Sequence, residues 1–575
     1  MSMTMEIRAL ILKWALKNAI EHDGKAVVKA VVSKVLGENP ELRNMIGEVL
    51  KVAEEVVANV NQMGVEQQIK MLEEIAPALL VKHKPKEEKR LPPLPNAEPG
   101  KVVTRLPPEP SGYMHIGHAM SGILNYMYAK MYDGKLWLRF EDTNPKKVKL
   151  EYYENFRRGY KWFGIEWDYE KCNSEDLDIY YEYANELIRK DLAYVCSCSK
   201  EEMSRGRFMM VGCTHRQQPT QLNLSLWKEM LSGGLKEGTA VLRLKGDMTS
   251  KNTVMRDPVL FRIIEYPHPI VGDKYRVWPT YDIAAAIEDA ICGVTHVLRS
   301  SEFALRDELQ NYIRSLLGLQ NPVFVEYSRF EFKGTPLAKR EIRRLIEQGI
   351  VSRWDDPRLA TVDGIKRRGL LPEAIKEFTI SQTGLTYTKR VYAWELLYAI
   401  NRRMLDPIAK RYFFVPDPIL VEVEGAPELH VELPFHPSEA LGKRSVHVGN
   451  KLYIPRRDVQ GLKKGDLLRL KYLYNISIKE VTNDLVSATF VCREVIEGVP
   501  IVQWVTEDYV KIRVLVPDIL YQDNGQLNPD SLKIIHGFGE RACTEIKYRE
   551  RVQFERFGFC IRDDANVLDF IFIHT

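Results

Sequence analysis

Thr104-Arg-Leu-Pro-Pro-Glu-Pro-Ser-Gly-Tyr-Met-His-Ile-Gly-His118 is the stretch on which the reading of this chain turns. A short apolar run ending in Val102-Val103, written Lys101-Val-Val-Thr104, predicts a strand in front of it, and the spacing of Ala119 to Tyr132 predicts a helix behind it. Lys135-Leu-Trp-Leu-Arg-Phe140 then predicts a second strand. Strand, crossover helix and strand make a βαβ unit, hence a parallel, doubly wound sheet with ligands at the C-terminal ends of its strands. His115 and His118 stand at the start of the helix with Ile116 and Gly117 between them. Imidazoles so placed can hydrogen-bond the phosphates of a nucleotide as charge builds at its α-phosphorus. Free backbone N–H groups and the positive end of the helix dipole favour the same anion. Gly112 and Gly117 let backbone and ligand approach closely. Two histidines three apart are also common as ordinary surface or core residues, so the rest of the chain has to decide.

A chain of 575 residues is too long for one hydrophobic core and predicts three to five domains. It holds no apolar run near the ~20 residues that span a bilayer. Met1 to Trp14 is short, amphipathic and carries Glu6, so it does not read as a secretory signal. The net charge of +4 decides nothing by itself, but the basic residues cluster. Lys339-Arg340 with Arg343-Arg344, Lys366-Arg367-Arg368, Arg402-Arg403, Lys410-Arg411, Lys443-Arg444, Arg456-Arg457 and Lys463-Lys464 all follow residue 338. None has an acidic run beside it, which suits contact with a long phosphate backbone; solvated surface faces are the competing account. Three of the eight cysteines lie between positions 196 and 213, which is no disulfide framework and implies a reducing, cytoplasmic home.

Residues 1–83 carry helical periodicity, with Val27, Val28, Val31, Val32 and Val35, then Ile46, Val49, Leu50, Ala53 and Val57, as its apolar positions. Gly37-Glu-Asn-Pro40 reads as a turn between helices. Residues 84–99, with Leu91-Pro-Pro-Leu-Pro95, read as a semi-rigid linker that tethers an appended helical domain. That domain reads equally as a docking module for a protein or nucleic-acid partner and as a plain structural extension. From residue 100 strands and helices alternate. Residues 175–278 interrupt the sheet, and Val277 to Ala286 reads as its resumption. Residues 346–405 read as mainly helical. Beyond Phe413-Phe414-Val415 come short alternating stretches such as Ser445-Val-His-Val448, Lys451-Leu-Tyr-Ile454, Leu467-Leu-Arg-Leu-Lys-Tyr472 and Ala488-Thr-Phe-Val-Cys492. Turns separate them every ~10 residues, as in all-β barrels.

Pro107-Pro-Glu-Pro-Ser-Gly-Tyr-Met-His-Ile-Gly-His118 resembles the first signature of class I aminoacyl-tRNA synthetases, in its glutamyl/glutaminyl branch. The resemblance continues in family order through Arg139-Phe-Glu-Asp-Thr-Asn-Pro145, Arg256-Asp-Pro-Val-Leu-Phe-Arg262, Trp278-Pro-Thr-Tyr-Asp282, Gly293-Val-Thr-His-Val-Leu-Arg299 and Trp354-Asp-Asp-Pro-Arg358. With the all-β tail, the chain resembles glutamyl-tRNA synthetases of the archaeal/eukaryotic type; the bacterial glutamyl enzymes end in helices. The implied fold is α/β: a Rossmann-type catalytic domain in two halves (100–174 and 279–345) around an acceptor-binding insert (175–278). A helical tRNA-contact domain (346–405) and β-barrels that read the anticodon (406–575) follow it, behind the helical domain of residues 1–83.

The same resemblance distributes roles. His115 and His118 would act on the phosphates at one end of the site and Lys339, in Gly334-Thr-Pro-Leu-Ala-Lys-Arg340, at the other. That run is a degraded Lys-Met-Ser-Lys-Ser loop, in which Pro336 and Ala338 replace the first lysine and the serine and Arg340 adds a cation. Pro108, Gly112, Gly117, Arg329 and Arg340 complete the implied ATP site, with Arg329 at the adenine pocket. Arg105, expected just past the end of the first strand, and Arg299 face the amino-acid side chain. Two guanidiniums suit a carboxylate and leave an amide beside a poorly compensated cation, at about 2–4 kcal/mol. Glu141 would hold the substrate ammonium and Tyr281 would donate to the substrate. Cys196-Ser-Cys198 and Cys213-Thr-His215 make a Cys-x-Cys…Cys-x-His set, three thiolates and an imidazole for a closed tetrahedral zinc. Free cysteines beside a chance histidine are its alternative. Magnesium would accompany ATP. The implied partners are glutamate and tRNA(Glu), with tRNA(Gln) left open, no membrane, and a monomeric protein. The rivals are a glutaminyl enzyme, which Arg299 opposes, and a tRNA-binding paralogue without catalysis, which the altered Lys339 loop alone favours.

Overall fold

Helical periodicity in the first 76 residues builds α1 (Ser2–Glu21), α2 (Val28–Glu38), α3 (Ile46–Val60) and α4 (Val65–Ile75). They surround a core that includes Ile11, Val35, Val49, Ala53 and Val57, and a 3₁₀ turn at Pro40–Met45 separates α2 from α3. Val27, Ile46 and Leu50, expected on the apolar face, are exposed, because Val27 caps α2 and the other two point off the buried stripe of α3. The computed structural model describes residues 2–21, 24–76, 91–383, 385 and 387–575, in two units, Met1–Arg90 and Leu91–Thr575. No helix among the described residues is long and apolar enough to cross a membrane.

In the second unit the expected linker is corrected. Leu91 and Leu94 are buried in the main core, Tyr128 donates to the Pro92 carbonyl at 2.9 Å, and the Leu94 N–H donates to the Tyr132 hydroxyl at 2.9 Å. Residues 91–95 are therefore part of the packed domain; residues 84–90 lie outside the described residues. Strand β1 (Val103–Leu106), helix α5 (Ile116–Met131), β2 (Lys135–Phe140), α6 (Leu150–Trp162) and β3 (Tyr169–Cys172) follow, with all three strands parallel. β1 starts two residues later than the sequence predicts and includes Arg105. A buried arginine there resembles a strand end in sequence, and a buried carboxylate, described below, lets the strand run on.

The insert comprises α7 (Leu177–Arg189), β4 (Ala193–Cys196), α8 (Lys200–Met209), α9 (Thr220–Ser232), β5 (Val241–Leu244), β6 (Val259–Ile263) and β7 (Val277–Pro279). Its sheet runs β4-β5-β6-β7 and is antiparallel throughout. β7 pairs with β6 and so does not resume the parallel sheet, as the sequence suggested for 277–286: an apolar Val-Trp-Pro run has no signature that distinguishes the two sheets. Helix α10 (Tyr281–Ile291) returns the chain, and β8 (His296–Ser300), α11 (Ala304–Leu316) and β9 (Val323–Tyr327) complete the domain, with β8 and β9 parallel. β8 lies beside β1: the Thr295 N–H donates to the Val103 carbonyl at 3.0 Å, and the Val103 N–H donates to Thr295 Oγ1 at 2.9 Å.

β10 (Phe330–Phe332) and α12 (Lys339–Glu347) lead into α13 (Val362–Arg368), α14 (Pro372–Thr383), β11 (Arg390–Tyr392) and α15 (Trp394–Leu405). This region is helical as expected except for β11, which pairs with β10. Beyond it two seven-stranded sheets form. In Pro418–Glu424, Ile419, Val421 and Val423 are buried and the residues between them are not, the alternation of a strand with one solvated face.

Candidate active site

β1 leads through α5 to β2 on one side, and β8 leads through α11 to β9 on the other. A crevice opens where two such halves diverge, at the C-terminal ends of β1 and β8. A cleft of about 410 Å³ lies there, lined by Arg105, Pro108, His115, Gly117, His118, Glu141, Tyr281, Arg299, Arg329 and Lys339 among others. Residues from positions 105 to 339 thus share one cleft.

His115 caps α5. Its Nδ1 accepts the Gly117 N–H at 3.1 Å, and His118 Nδ1 accepts the His115 N–H at 3.2 Å. The rings stack with centroids 3.7 Å apart. Since each Nδ1 is an acceptor, each neutral ring carries its proton on Nε2. Burial, then the charges of Lys339 and Arg329, pushes His115 down to about 3, and burial with His115 and Lys339 holds His118 well below its usual range. Both are neutral donors. The free amides expected at this helix start are partly occupied: Gly117 N–H bonds His115, and Ile116 N–H bonds the Ala360 carbonyl at 2.8 Å. Binding of an anion here therefore falls to the imidazole Nε2–H groups.

On the opposite wall Lys339 opens α12 and donates to Ser111 Oγ at 2.6 Å, while Ser111 donates to Glu109 at 2.8 Å. Burial lowers the lysine's pKa, and Glu109 opposes that shift. Gly112 does not line the cleft; it is needed behind Lys339, since a Cβ there would stand 2.6 Å from Lys339 Cδ. Arg329 lines the cleft and pairs with Glu302 at 3.0 Å. Arg340 is exposed and is not brought into the cleft, because it follows Lys339 on a helix and points elsewhere.

The third wall is built on arginines. Arg105, only 1% exposed, donates through Nε to Asp289 Oδ1 at 3.2 Å. Arg139 Nη1 donates to the same oxygen at 2.8 Å and Arg314 Nη2 to Oδ2 at 3.1 Å. Burial alone would raise Asp289; the three guanidiniums outweigh it and hold this carboxylate at about 2. Arg139 also reaches Glu141 at 3.3 Å, yet burial pushes Glu141 up to about 7. Arg299, the fourth residue of β8, donates through Nη1 to the Tyr281 hydroxyl at 3.3 Å and to Gln310 at 3.1 Å. Burial pushes Tyr281 up to about 12. Sequence reasoning missed Asp289, Arg314 and Gln310. The signal for Asp289 was an acidic pair, Glu288-Asp289, inside the apolar helix Tyr281–Ile291.

A second cluster stands in the insert. Cys196, Cys198, Cys213 and His215 place their ligand atoms within 4.8 Å of one another. Cys196 and Cys213 Sγ are 3.8 Å apart, and His215 Nδ1 is 3.8 Å from Cys196 Sγ and 3.4 Å from Cys198 Sγ. A tetrahedral zinc with Zn–S near ~2.3 Å requires sulfur–sulfur edges of roughly 3.8 Å, so the donor set fits. His215 Nε2 is 2.9 Å from Ser197 Oγ, which leaves Nδ1 for a metal, and Arg243 approaches two of the thiols.

Comparison with known proteins agrees with this geometry. The catalytic-domain model of class I tRNA synthetases (E and Q) matches residues 101–407, and the two anticodon-binding domain models of the same group match residues 409–493 and 501–563. The chain is 43% identical over 570 residues to the glutamate–tRNA ligase of Pyrococcus furiosus, covering 96% of this chain and 97% of that one. It is 42% identical to those of Cenarchaeum symbiosum (97% and 98% covered) and Nitrosopumilus maritimus (98% and 99%).

Proposed function

Because the chain belongs to the class I tRNA synthetases for glutamate and glutamine, we propose that it is a glutamate–tRNA ligase. Glutamate's α-carboxylate attacks the α-phosphorus of ATP, giving glutamyl-adenylate and pyrophosphate, and the terminal ribose hydroxyl of tRNA(Glu) then takes the glutamyl group. The observation that carries the choice of amino acid is Arg299, 6% exposed and lining the same cleft as Arg105 and the two histidines. Asp289 and Asp307 pair these guanidiniums from outside the cleft; a γ-carboxylate adds a charged acceptor on the cleft side, and an amide offers only a neutral one, enough at about 2–4 kcal/mol to reject glutamine by two or more orders of magnitude.

Little covalent chemistry falls to the protein, which positions the reactants and stabilises spreading phosphoryl charge. His115 and His118 donate from Nε2 to phosphate oxygens, and Lys339 supplies a point charge opposite them. Glu141, ionised, accepts the substrate ammonium. Tyr281 keeps its proton and donates to the substrate. Magnesium accompanies ATP and neutralises its phosphates. Cys196, Cys198, Cys213 and His215 would hold zinc, which would supply a structural tether for the insert with no position open for chemistry. The eight free cysteines support a reducing, cytoplasmic setting.

The test is charging with ATP–Mg²⁺ and radiolabelled glutamate or glutamine, on tRNA(Glu) and tRNA(Gln) separately. Glutamate on tRNA(Glu) is expected; glutamate on both would add a non-discriminating ligase, and glutamine on either would overturn the role of Arg299.

A further inference from the structure

Outside the cleft, Arg299 is held by side chains that the reaction above does not use. Asp307 and Gln310 stand three residues apart on α11. Asp307 pairs with Arg299 Nη2, and Gln310, fully buried, accepts from Nη1 at 3.1 Å. Gln310 donates in turn to Asp282, which Arg306 also engages. Phe324 packs against the guanidinium, 4.7 Å from its ring centre. Glu326 is the register partner of Arg299 across β8 and β9, and Asp307 pairs with that arginine's guanidinium, which sets the two carboxyls in each other's field. Glu326 Oε1 is buried without a hydrogen-bond partner. Neither carboxyl lines the cleft.

Two ionised carboxylates in contact repel and cannot hydrogen-bond, whereas one proton between them satisfies both. We propose that Asp307 and Glu326 share a proton and, as positioning residues, aim Arg299 into the cleft and set the charge behind it, so that selection of glutamate over glutamine depends on pH. The proposal rests on the ligase reading. Loss of the shared proton adds a negative charge behind Arg299 and weakens its hold on a substrate carboxylate, but leaves an amide unaffected. The charged and titratable groups around the pair are Arg299 on β8, Arg306 on α11, and Tyr281 and Asp282 on α10. Burial, then the charge of Asp307, pushes Glu326 up to about 7, which places the transition within a measurable range.

The experiment measures kcat/KM for charging with glutamate and with glutamine from pH 6 to 8.5 on the full chain. Both substrates carry the same ammonium and α-carboxylate, so their ratio isolates the side-chain end of the site. In the unaltered protein the preference for glutamate is expected to fall by about tenfold as pH rises. Glu326→Gln should keep the preference high and flat. Asp307→Asn should move the fall to lower pH, since the charge that raised Glu326 is gone. Glu326→Asp keeps a carboxyl pair and should retain a fall. A pH-independent preference in the unaltered protein, or a Glu326→Gln variant that falls in parallel with it, would overturn the proposal. Failure to charge glutamate at any pH would instead overturn the ligase reading.

Discussion

Neutral imidazoles restrict what His115 and His118 can do. Held below the range of physiological pH, they carry no charge of their own, and in the proposed reaction they would donate hydrogen bonds that strengthen as phosphoryl charge grows. Replacing His115 by Ala is expected to lower the single-turnover charging rate by about 10²-fold with the KM for glutamate little changed. It should introduce no inflection between pH 5 and 8, since neither imidazole titrates there. In the proposed reaction the acid limb would belong to Glu141. Its carboxyl is pushed up to about 7, and only the ionised form accepts an ammonium, so the KM for glutamate should fall as pH rises through 7. Glu141→Gln should remove that limb and raise the KM at every pH, which initial-rate measurements at saturating ATP and tRNA would read. Asp289 acts on stability. Its folded pKa, about 2, is depressed below the ordinary value of 3.8, so its contribution is present above that value and is lost as pH falls toward 2. Asp289→Asn leaves three buried guanidiniums without their shared anion and should cost about 3–5 kcal/mol in urea-induced unfolding.

At the scale of elements, the zinc-ligand hairpin should be the part most sensitive to metal. Cys196 ends β4, while Cys213 and His215 lie at the 3₁₀ turn after α8, so an ion bound there would join strand to turn beside the contacts that Arg216 makes with Asp257 and the Gly246 carbonyl. Phe208, Met209, Met210 and Val211 beside it are exposed and contribute little to the core. Chelation is expected to expose residues 200–217 to proteolysis while glutamate binding to the β1/β8 cleft persists; limited proteolysis followed by mass mapping reads the first and equilibrium binding the second. Unchanged cleavage after metal removal would remove the structural role. Elements differ in how far the sequence shows them. Lys135–Phe140 reads directly because both its ends are marked by turns, and Lys451–Ile454 because Leu452 and Ile454, two apart, face the core. β1 lies two residues beyond the predicted run because Arg105 is charged, and its compensating Asp289 lies 184 positions away on a helix. Val277–Pro279 was assigned to the wrong sheet because strand pairing is a tertiary choice that three apolar residues do not encode. Of the site, motif residues at strand and helix ends were legible. The groups that orient them, Asp289, Gln310 and Asp307, were not, because a buried polar partner looks like any other polar residue until the chain is folded.

Over the whole molecule, the basic clusters after residue 338 are partly engaged within the protein: Arg444 is buried against Glu540 and Arg403 pairs with Glu377, both remote in sequence, while Arg411 pairs with Asp406 five residues before it. The densest of these contacts joins α13 to the C-terminal sheet. Arg367 donates to Asp563 at 2.7 and 3.1 Å, and Arg549 donates to the same carboxylate at 3.3 Å and to the Arg367 carbonyl at 3.0 Å. Arg551 donates to the Gly369 carbonyl at 2.7 Å. The start of this helix touches the signature motif, since the Val362 N–H bonds the Met114 carbonyl at 2.8 Å and Asn155 links Met114 N–H to Asp363. One short helix thus has its first turn at the nucleotide end of the cleft and its last turn clamped to the sheet beyond. Asp563 is the only acid among the described residues that both Arg367 and Arg549 reach as a hydrogen-bond acceptor, so Asp563→Asn leaves two partly buried guanidiniums with a weaker common partner. A loss of about 1–3 kcal/mol is expected, confined to the contact between the C-terminal sheet and α13. Calorimetry should show it as a lower or separated transition for the C-terminal region, with a larger effect at low salt than at high salt. Charging should show a raised KM for tRNA, with little change in the KM for glutamate, if the clamp holds the sheet in place for RNA. An unchanged melting profile would mean that apolar packing of Ile561 and Ile573 against Gly369 secures this junction without the ion pairs.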